Sequence, residues 1–251
     1  MGEHLLGTVD VVDQVKGVLS DLTAATQRMV ASVERLGLPD DLAVSSLLPG
    51  WTRAHVLVHL ARNSDGLRNL LLGARTGEAL RMYASPTTRD VDIAVGVTRP
   101  AEVIVADVLE ASRRFLVDAV ATPAELWPAT VAFTSGNPNP PRVSVARIFE
   151  LRLQEVEVHH VDLGVGYEFT DTPVQLAERL IAHFAALRAV QGVPLALRLE
   201  GAFGVRSSPT GIGALPIIRG SNAAALAWLA GRGSDGLRAE GDGPLPELPP
   251  L

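Results

Sequence analysis

Two stretches of the chain place metal-ligating side chains one helical turn apart. In Arg152-Leu-Gln-Glu-Val-Glu-Val-His-His-Val-Asp-Leu163, carboxylates and imidazoles crowd into an otherwise apolar run. In Gly50-Trp-Thr-Arg-Ala-His-Val-Leu-Val-His59, two histidines stand four residues apart. A carboxylate and an imidazole at i and i+4 of a helix can reach one ion. Two histidines and one carboxylate, with a position left for water or substrate, form a common catalytic zinc arrangement. The same donors would also suit iron, nickel or manganese.

Helical phase chooses among the candidates. At about 100° per residue, Glu155 and His159 share a face with Ile148, Leu151 and Val158. Glu157 falls nearly opposite, beside Glu150 and Gln154, and is expected to face water. On the other segment, His59 lies nearer the stripe of Val56, Leu60, Leu67 and Leu70, and His55 lies toward the polar side. His59, Glu155 and His159 are therefore the candidate metal ligands. Plainer readings stay open at this point: Glu155 paired with Arg152 or another arginine, His159 as a hydrogen-bonded core histidine, His55 or His59 as a capping or surface residue.

Four long segments position these residues. Helices are predicted over roughly Val9 to Leu36, Thr52 to Ala74, Pro100 to Val120 and Ser144 to Gly164, from apolar positions at helical spacing and from cap and breaker residues. Thr52 suits an N-cap and Gly164 a C-terminal cap. The stretch Thr76 to Val97 reads as a long irregular connection, and Pro123 to Arg142, with its five prolines and glycines between 128 and 141, as loop or hairpin. After Thr172-Pro173 the pattern changes. A helix from Val174 to Val190, a strand from Leu195 to Glu200, a partner strand at Phe203 to Arg206 and a short helix from Ser221 to Ala230 are predicted, then an extended tail from Pro244. The fold class is α+β: a helical bundle over residues 1–168 and a small α/β domain over residues 169–251.

Composition narrows the function. A net charge of −6 argues against a general nucleic-acid binder, which needs basic surface to meet phosphates. The chain has no cysteine, which excludes disulfides, thiolate metal ligands and a cysteine nucleophile, so any thiol chemistry must use an external thiol. Aromatics are only 4% of residues, so the core must be built from Leu, Val and Ala. Met1 to Asp10 does not read as a signal peptide, and no membrane span is expected, so a cytoplasmic location is expected.

Together with Met82-Tyr-Ala-Ser-Pro86 and Gly231-Arg-Gly-Ser-Asp-Gly236, the two histidine-bearing segments resemble the mycothiol-dependent maleylpyruvate isomerases, in order and spacing, over nearly the whole chain. The resemblance implies a DinB-like four-helix bundle followed by a small α/β domain. It implies His59, Glu155 and His159 as zinc ligands, Arg232 as an essential residue of the active site, and mycothiol as thiol cosubstrate. The implied reaction converts the cis double bond of maleylpyruvate to the trans bond of fumarylpyruvate, with a small anionic unsaturated substrate, no nucleic-acid or membrane partner, and a monomer or weak homodimer. A thiol S-transferase, or an isomerase of another unsaturated natural product, would look similar. A non-catalytic metal-binding regulator on the same bundle ranks third. His160 beside His159 departs from the family pattern. Without the resemblance, Gly231 to Gly236 reads as a helix C-cap and turn.

Overall fold

The structure is a computed structural model describing residues 3–37, 39–85, 87–133, 141–199, 217–241 and 243–250. The chain separates into two compact units, Met1–Val165 and Gly166–Leu251. Its α+β character is that expected from the sequence.

In the first unit, α1 (Glu3–Val33) is followed by a single turn, α2 (Asp40–Ala43), and then by α3 (Arg53–Thr76). The start of α3 is set locally: Thr52, extended and outside the helix, donates its N–H to His55 Nδ1 (3.2 Å), satisfying a group the helix cannot reach. Next come α4 (Thr88–Gly96) and α5 (Ala101–Val120), the latter opening directly after Pro100. A hairpin of β1 (Thr130–Ala132) and β2 (Arg142–Ser144), paired antiparallel, leads into α6 (Val145–Asp162). Ser144 caps α6 by accepting from the Arg147 N–H (3.2 Å).

Each of the four long helices packs on two others: α3 on α5 and α6, α1 on α6 and α5. The core between them is aliphatic, with Leu22 and Met29 from α1, Leu60, Leu67 and Leu70 from α3, Val108 and Phe115 from α5, and Ile148, Phe149 and Val156 from α6. Among the described residues no helix is long and apolar enough to cross a membrane.

The connection expected to be irregular contains α4 in its second half. Only Ile93 and Gly96 of that helix are buried, while its apolar stripe of Val91, Ala94 and Val95 faces solvent, so hydrophobic period does not mark the face that packs. What holds it down is close approach. A Cβ on Gly96 would lie 2.4 Å from Val58 Cγ1 of α3, and one on Gly66 of α3 would lie 2.7 Å from Met82 Cγ. Two glycines thus let α4 and the Met82 segment lie directly on α3.

The second unit holds α7 (Val174–Val190), packed on α8 (Asn222–Leu229), and a small sheet. In that sheet β3 (Ala196–Leu199) pairs parallel with β4 (Ile217–Gly220), which pairs antiparallel with β5 (Arg238–Ala239). The expected strand at Phe203 to Arg206 lies outside the described residues; the partner that β3 has is β4. Buried Arg188 donates to Leu229 O (2.7 Å through Nη2) and to Pro249 O, tying the Pro-rich tail to this unit.

Candidate metal centre

The site is built where α3 crosses α6, and two arginines fix that crossing. Arg53, in the first turn of α3, donates through Nε to Leu163 O (2.9 Å) and through Nη2 to Gly164 O (2.7 Å). These carbonyls lie at the C-terminal end of α6, where a cation also answers the helix dipole. From α6, the fully buried Arg152 reaches back, donating through Nη1 to Leu60 O (3.0 Å) and Asn63 Oδ1 (2.8 Å), and through Nη2 to Ser112 Oγ (3.3 Å). Burial pushes its pKa down to about 10. Arg152 therefore serves the helix crossing, and its hydrogen bonds do not go to Glu155.

Between these clamps His59, Glu155 and His159 converge. Glu155 Oε2 accepts from His59 Nε2 at 2.8 Å and lies 3.4 Å from His159 Nε2. The two imidazole rings stand edge to face, 4.7 Å apart. One donor atom from each residue lies within 4.8 Å of the others. The buried Asp162 carboxylate accepts from His159 Nδ1 (2.8 Å), which leaves Nε2 as the ring's outward nitrogen.

The electrostatics follow from this geometry. Burial alone would push the Glu155 carboxyl up, but hydrogen bonds from His159 and His59 outweigh it and hold Glu155 well below the usual carboxylate range. Burial holds His59 below its ordinary value, against the pull of Glu155. Burial also opposes charge on His159, yet its hydrogen bonds to Asp162 and Glu155 raise it. Glu155 is ionised and the two rings differ in basicity.

The donor set fits a divalent ion. Ligands about 2.0–2.2 Å from a tetrahedral zinc lie about 3.3–3.6 Å from one another. The His159–Glu155 separation of 3.4 Å is already there, and the 2.8 Å His59–Glu155 contact need open by only about half an ångström. Asp162 behind His159 supplies the carboxylate–histidine support typical of metal sites. A half-buried carboxylate held ionised between two imidazoles is also the charge that a cation would compensate.

The other candidates resolve differently. His55 is a capping residue, its Nδ1 turned back to Thr52. Glu157, expected to face water, is fully buried and paired with Arg28 of α1 (3.1 Å). His160 is buried too, its Nε2 2.9 Å from Ser32 Oγ of α1. Helical phase set Glu157 opposite Glu155 and so toward water, but that face of α6 is covered by α1. Arg232 belongs to the second unit, on the turn that ends α8. Its N–H donates to Ala227 O (2.7 Å) and its Nη1 to Ala230 O (2.7 Å), between Gly231 and Gly233 at positive φ.

Four residues around the site were given no role from sequence. Asp162 had a readable signal, the His-x-x-Asp spacing that places both side chains on one side of a helix. The Trp51 ring lies 5.7 Å from that of His59. Arg89 of α4 places Nη2 3.5 Å from His59 Nδ1 and its guanidinium carbon 5.9 Å from the centre of the Trp51 ring. Tyr83 is half-buried and close enough for the Glu155 charge to act on it; burial first and that charge second push its hydroxyl up to about 12, so it stays protonated.

No curated protein matches the chain. Two solved structures do, one described as the crystal structure of the mycothiol-dependent maleylpyruvate isomerase and the other as that of its histidine-to-alanine mutant. Each is 28% identical, with a TM-score of 0.81, over 94% of this chain and 97% of the other. The mycothiol maleylpyruvate isomerase N-terminal domain matches residues 22–164, which include every residue of the His59, Glu155 and His159 cluster and its two arginine clamps. With more than half its length matched to that domain, the chain belongs to the mycothiol maleylpyruvate isomerase family.

Proposed function

We propose that this chain is a mycothiol-dependent cis–trans isomerase that converts maleylpyruvate to fumarylpyruvate at a metal site held by His59, Glu155 and His159. The observation that carries this reading is the convergence of those three side chains at one point, inside the region matched to the family. We further assign the metal-binding domain to residues 1–168 and a small α/β domain to residues 169–251.

Rotation about a double bond requires that its π bond be removed for a time. A thiolate adds to the alkene carbon conjugate to the ketone, a C–S bond forms, and the π electrons move onto the carbonyl oxygen as an enolate. The remaining C–C single bond rotates. The enolate then re-forms the ketone and the alkene, now trans, and the C–S pair leaves with sulfur as thiolate. No atom is gained or lost, and no oxidant is needed.

The chain has no cysteine, so the thiol is mycothiol's. A divalent ion, zinc being the simplest choice, would supply the Lewis acid that lowers the pKa of a coordinated thiol. The protein's own groups do the rest. Glu155 stays ionised, and Asp162 fixes His159 with Nε2 facing the cluster. Tyr83 stays protonated and can donate a hydrogen bond into a site where negative charge develops. Arg232 holds a substrate carboxylate or the developing enolate with its two-pronged donor.

The test is isomerisation of maleylpyruvate followed by absorbance, in zinc-loaded protein with and without mycothiol. Turnover that requires mycothiol and disappears in His59→Ala supports the reading. Zinc-loaded protein that binds mycothiol yet leaves maleylpyruvate unchanged would refute it, in favour of a thiol S-transferase or an isomerase of another unsaturated substrate.

A further inference from the structure

Arg89 is a cation in a place that local rules would give to an anion. It sits in the first turn of α4, at the positive end of the helix dipole, where Asp or Glu is favoured. Its carboxylate partner among the described residues, Asp90 (2.8 Å), is three-quarters exposed, so that pair is weak. Other arginines of this unit are committed to the fold: Arg62 and Arg99 share the mostly buried Asp107, and Arg152 is sealed at the helix crossing. Arg89 instead keeps 38% of its side chain exposed and leans over Trp51 toward the ring of His59.

Its approach to His59 is also conditional. Nη2 can donate to His59 Nδ1 only while that nitrogen carries no hydrogen, which places the ring's hydrogen on Nε2, facing Glu155. When His59 offers its Nε2 lone pair to an ion, the hydrogen must move to Nδ1, and the guanidinium loses its acceptor. A divalent ion with one carboxylate and two neutral imidazoles already carries net positive charge, and Arg89 adds to it. Such a site, with an aromatic wall at Trp51, calls for a flat ligand bearing more than one negative charge.

We propose that Arg89 is the carboxylate anchor of the site. Its guanidinium takes one carboxylate of an unsaturated dicarboxylate in a two-pronged contact, and the conjugated part of that ligand lies along Trp51 toward His59, Glu155 and His159. This rests on the metal-dependent reading given above and adds to it the substrate class and a binding residue from α4.

The experiment uses the full-length zinc-loaded protein without thiol, titrated calorimetrically with maleate, a cis-dicarboxylate that cannot turn over under these conditions. Arg89→Gln is expected to weaken maleate binding roughly tenfold or more, as loss of a charge-assisted two-pronged contact does, and Arg89→Lys to fall between. Zinc affinity by chelator competition is expected to rise when maleate is added to the wild type and to be insensitive to maleate in Arg89→Gln, because the two ligands are linked reciprocally. In turnover, the variant is expected to raise KM far more than it lowers kcat. Wild-type protein that does not bind maleate, or an Arg89→Gln variant that binds it as tightly as wild type, would overturn the proposal. Maleate binding through Arg89 without isomerisation of maleylpyruvate would leave the anchor standing and remove the isomerase reading. Isomerisation with unchanged KM in Arg89→Gln would do the reverse.

Discussion

Replacing Asp162 by Asn removes one charge and almost no volume from behind His159. Asp162 is fully buried and accepts from His159 Nδ1 at 2.8 Å. The amide oxygen of Asn can still accept that hydrogen, so the ring keeps its orientation but loses the negative charge that makes Nε2 a better donor to an ion. Loss of such a supporting partner costs about 10- to 100-fold in metal affinity, or about 1.4–2.7 kcal/mol. With zinc in excess, the stabilisation that zinc gives the folded state falls by the same amount. For a chain of this size that is roughly 3–11 °C off the zinc-induced rise in melting temperature. The assay is paired melting of metal-free and zinc-loaded protein, wild type and variant, with chelator competition as an independent measure of affinity. Comparing each protein with its own metal-free form removes any change in intrinsic stability. A variant with an undiminished zinc-induced rise would show that Asp162 does not support a ligand, and the assignment of His159 Nε2 as a metal donor would lose its main structural argument.

In the metal-free protein the two site imidazoles are expected to titrate in two steps that straddle 6.5, His159 above and His59 below, as read by NMR of the ring protons. The raised His159 contributes stability that is full below 6.5 and lost as pH rises through its folded value; the depressed His59 contributes stability present above 6.5 and lost as pH falls. A single shared titration at the ordinary value would refute this. Arg28→Ala leaves the buried Glu157 without its guanidinium and is expected to cost roughly 2–4 kcal/mol in denaturant unfolding, below the largest values for buried pairs because Arg28 keeps 29% of its side chain exposed. Zinc affinity is expected to be unchanged in that variant, and a large drop would bring Glu157 back as a ligand. Arg232→Lys keeps the charge and loses the fork, so kcat/KM is expected to fall at least tenfold; near-normal turnover would count against a two-pronged role.

Much of the helical layout was legible because its signals are local. Thr52 stands where a cap was expected, and the helices expected from about Ser144 and Ser221 begin one residue after each. The features that escaped are those decided by distant partners. The apolar positions of α4 at helical spacing face solvent, and its place depends on Gly96 meeting Val58, nearly forty positions earlier. The partner of β3 is a parallel strand, Ile217–Gly220, which no hairpin signal can announce because parallel pairing needs a crossover. Spacing and phase singled out His59, Glu155 and His159, which the structure brings together, whereas Arg89 enters only through the placement of α4. The role proposed for Arg232 rests on family resemblance alone.

Glu157 shows why the metal ligands and the structural pair could not be fully told apart beforehand. Along α6, Glu155 with His159 and Glu157 with His160 are both carboxylate–imidazole pairs about one turn apart, and both are largely or wholly withdrawn from water. Helical phase separates the two faces but does not say what covers either one, and both pairs carry the cost of buried charge. What separates them is the helix opposite. Against Glu157 and His160, α1 presents Arg28 and Ser32, a cation and a hydroxyl that complete each group within the protein. Against Glu155 and His159, α3 presents a third ligand, His59, which adds a lone pair and no fixed positive charge. A pair answered by a cation is finished. A carboxylate answered by imidazoles alone remains a negative charge surrounded by donors that a metal can use, which is the physical reason to look for the ion on the α3 face of this helix.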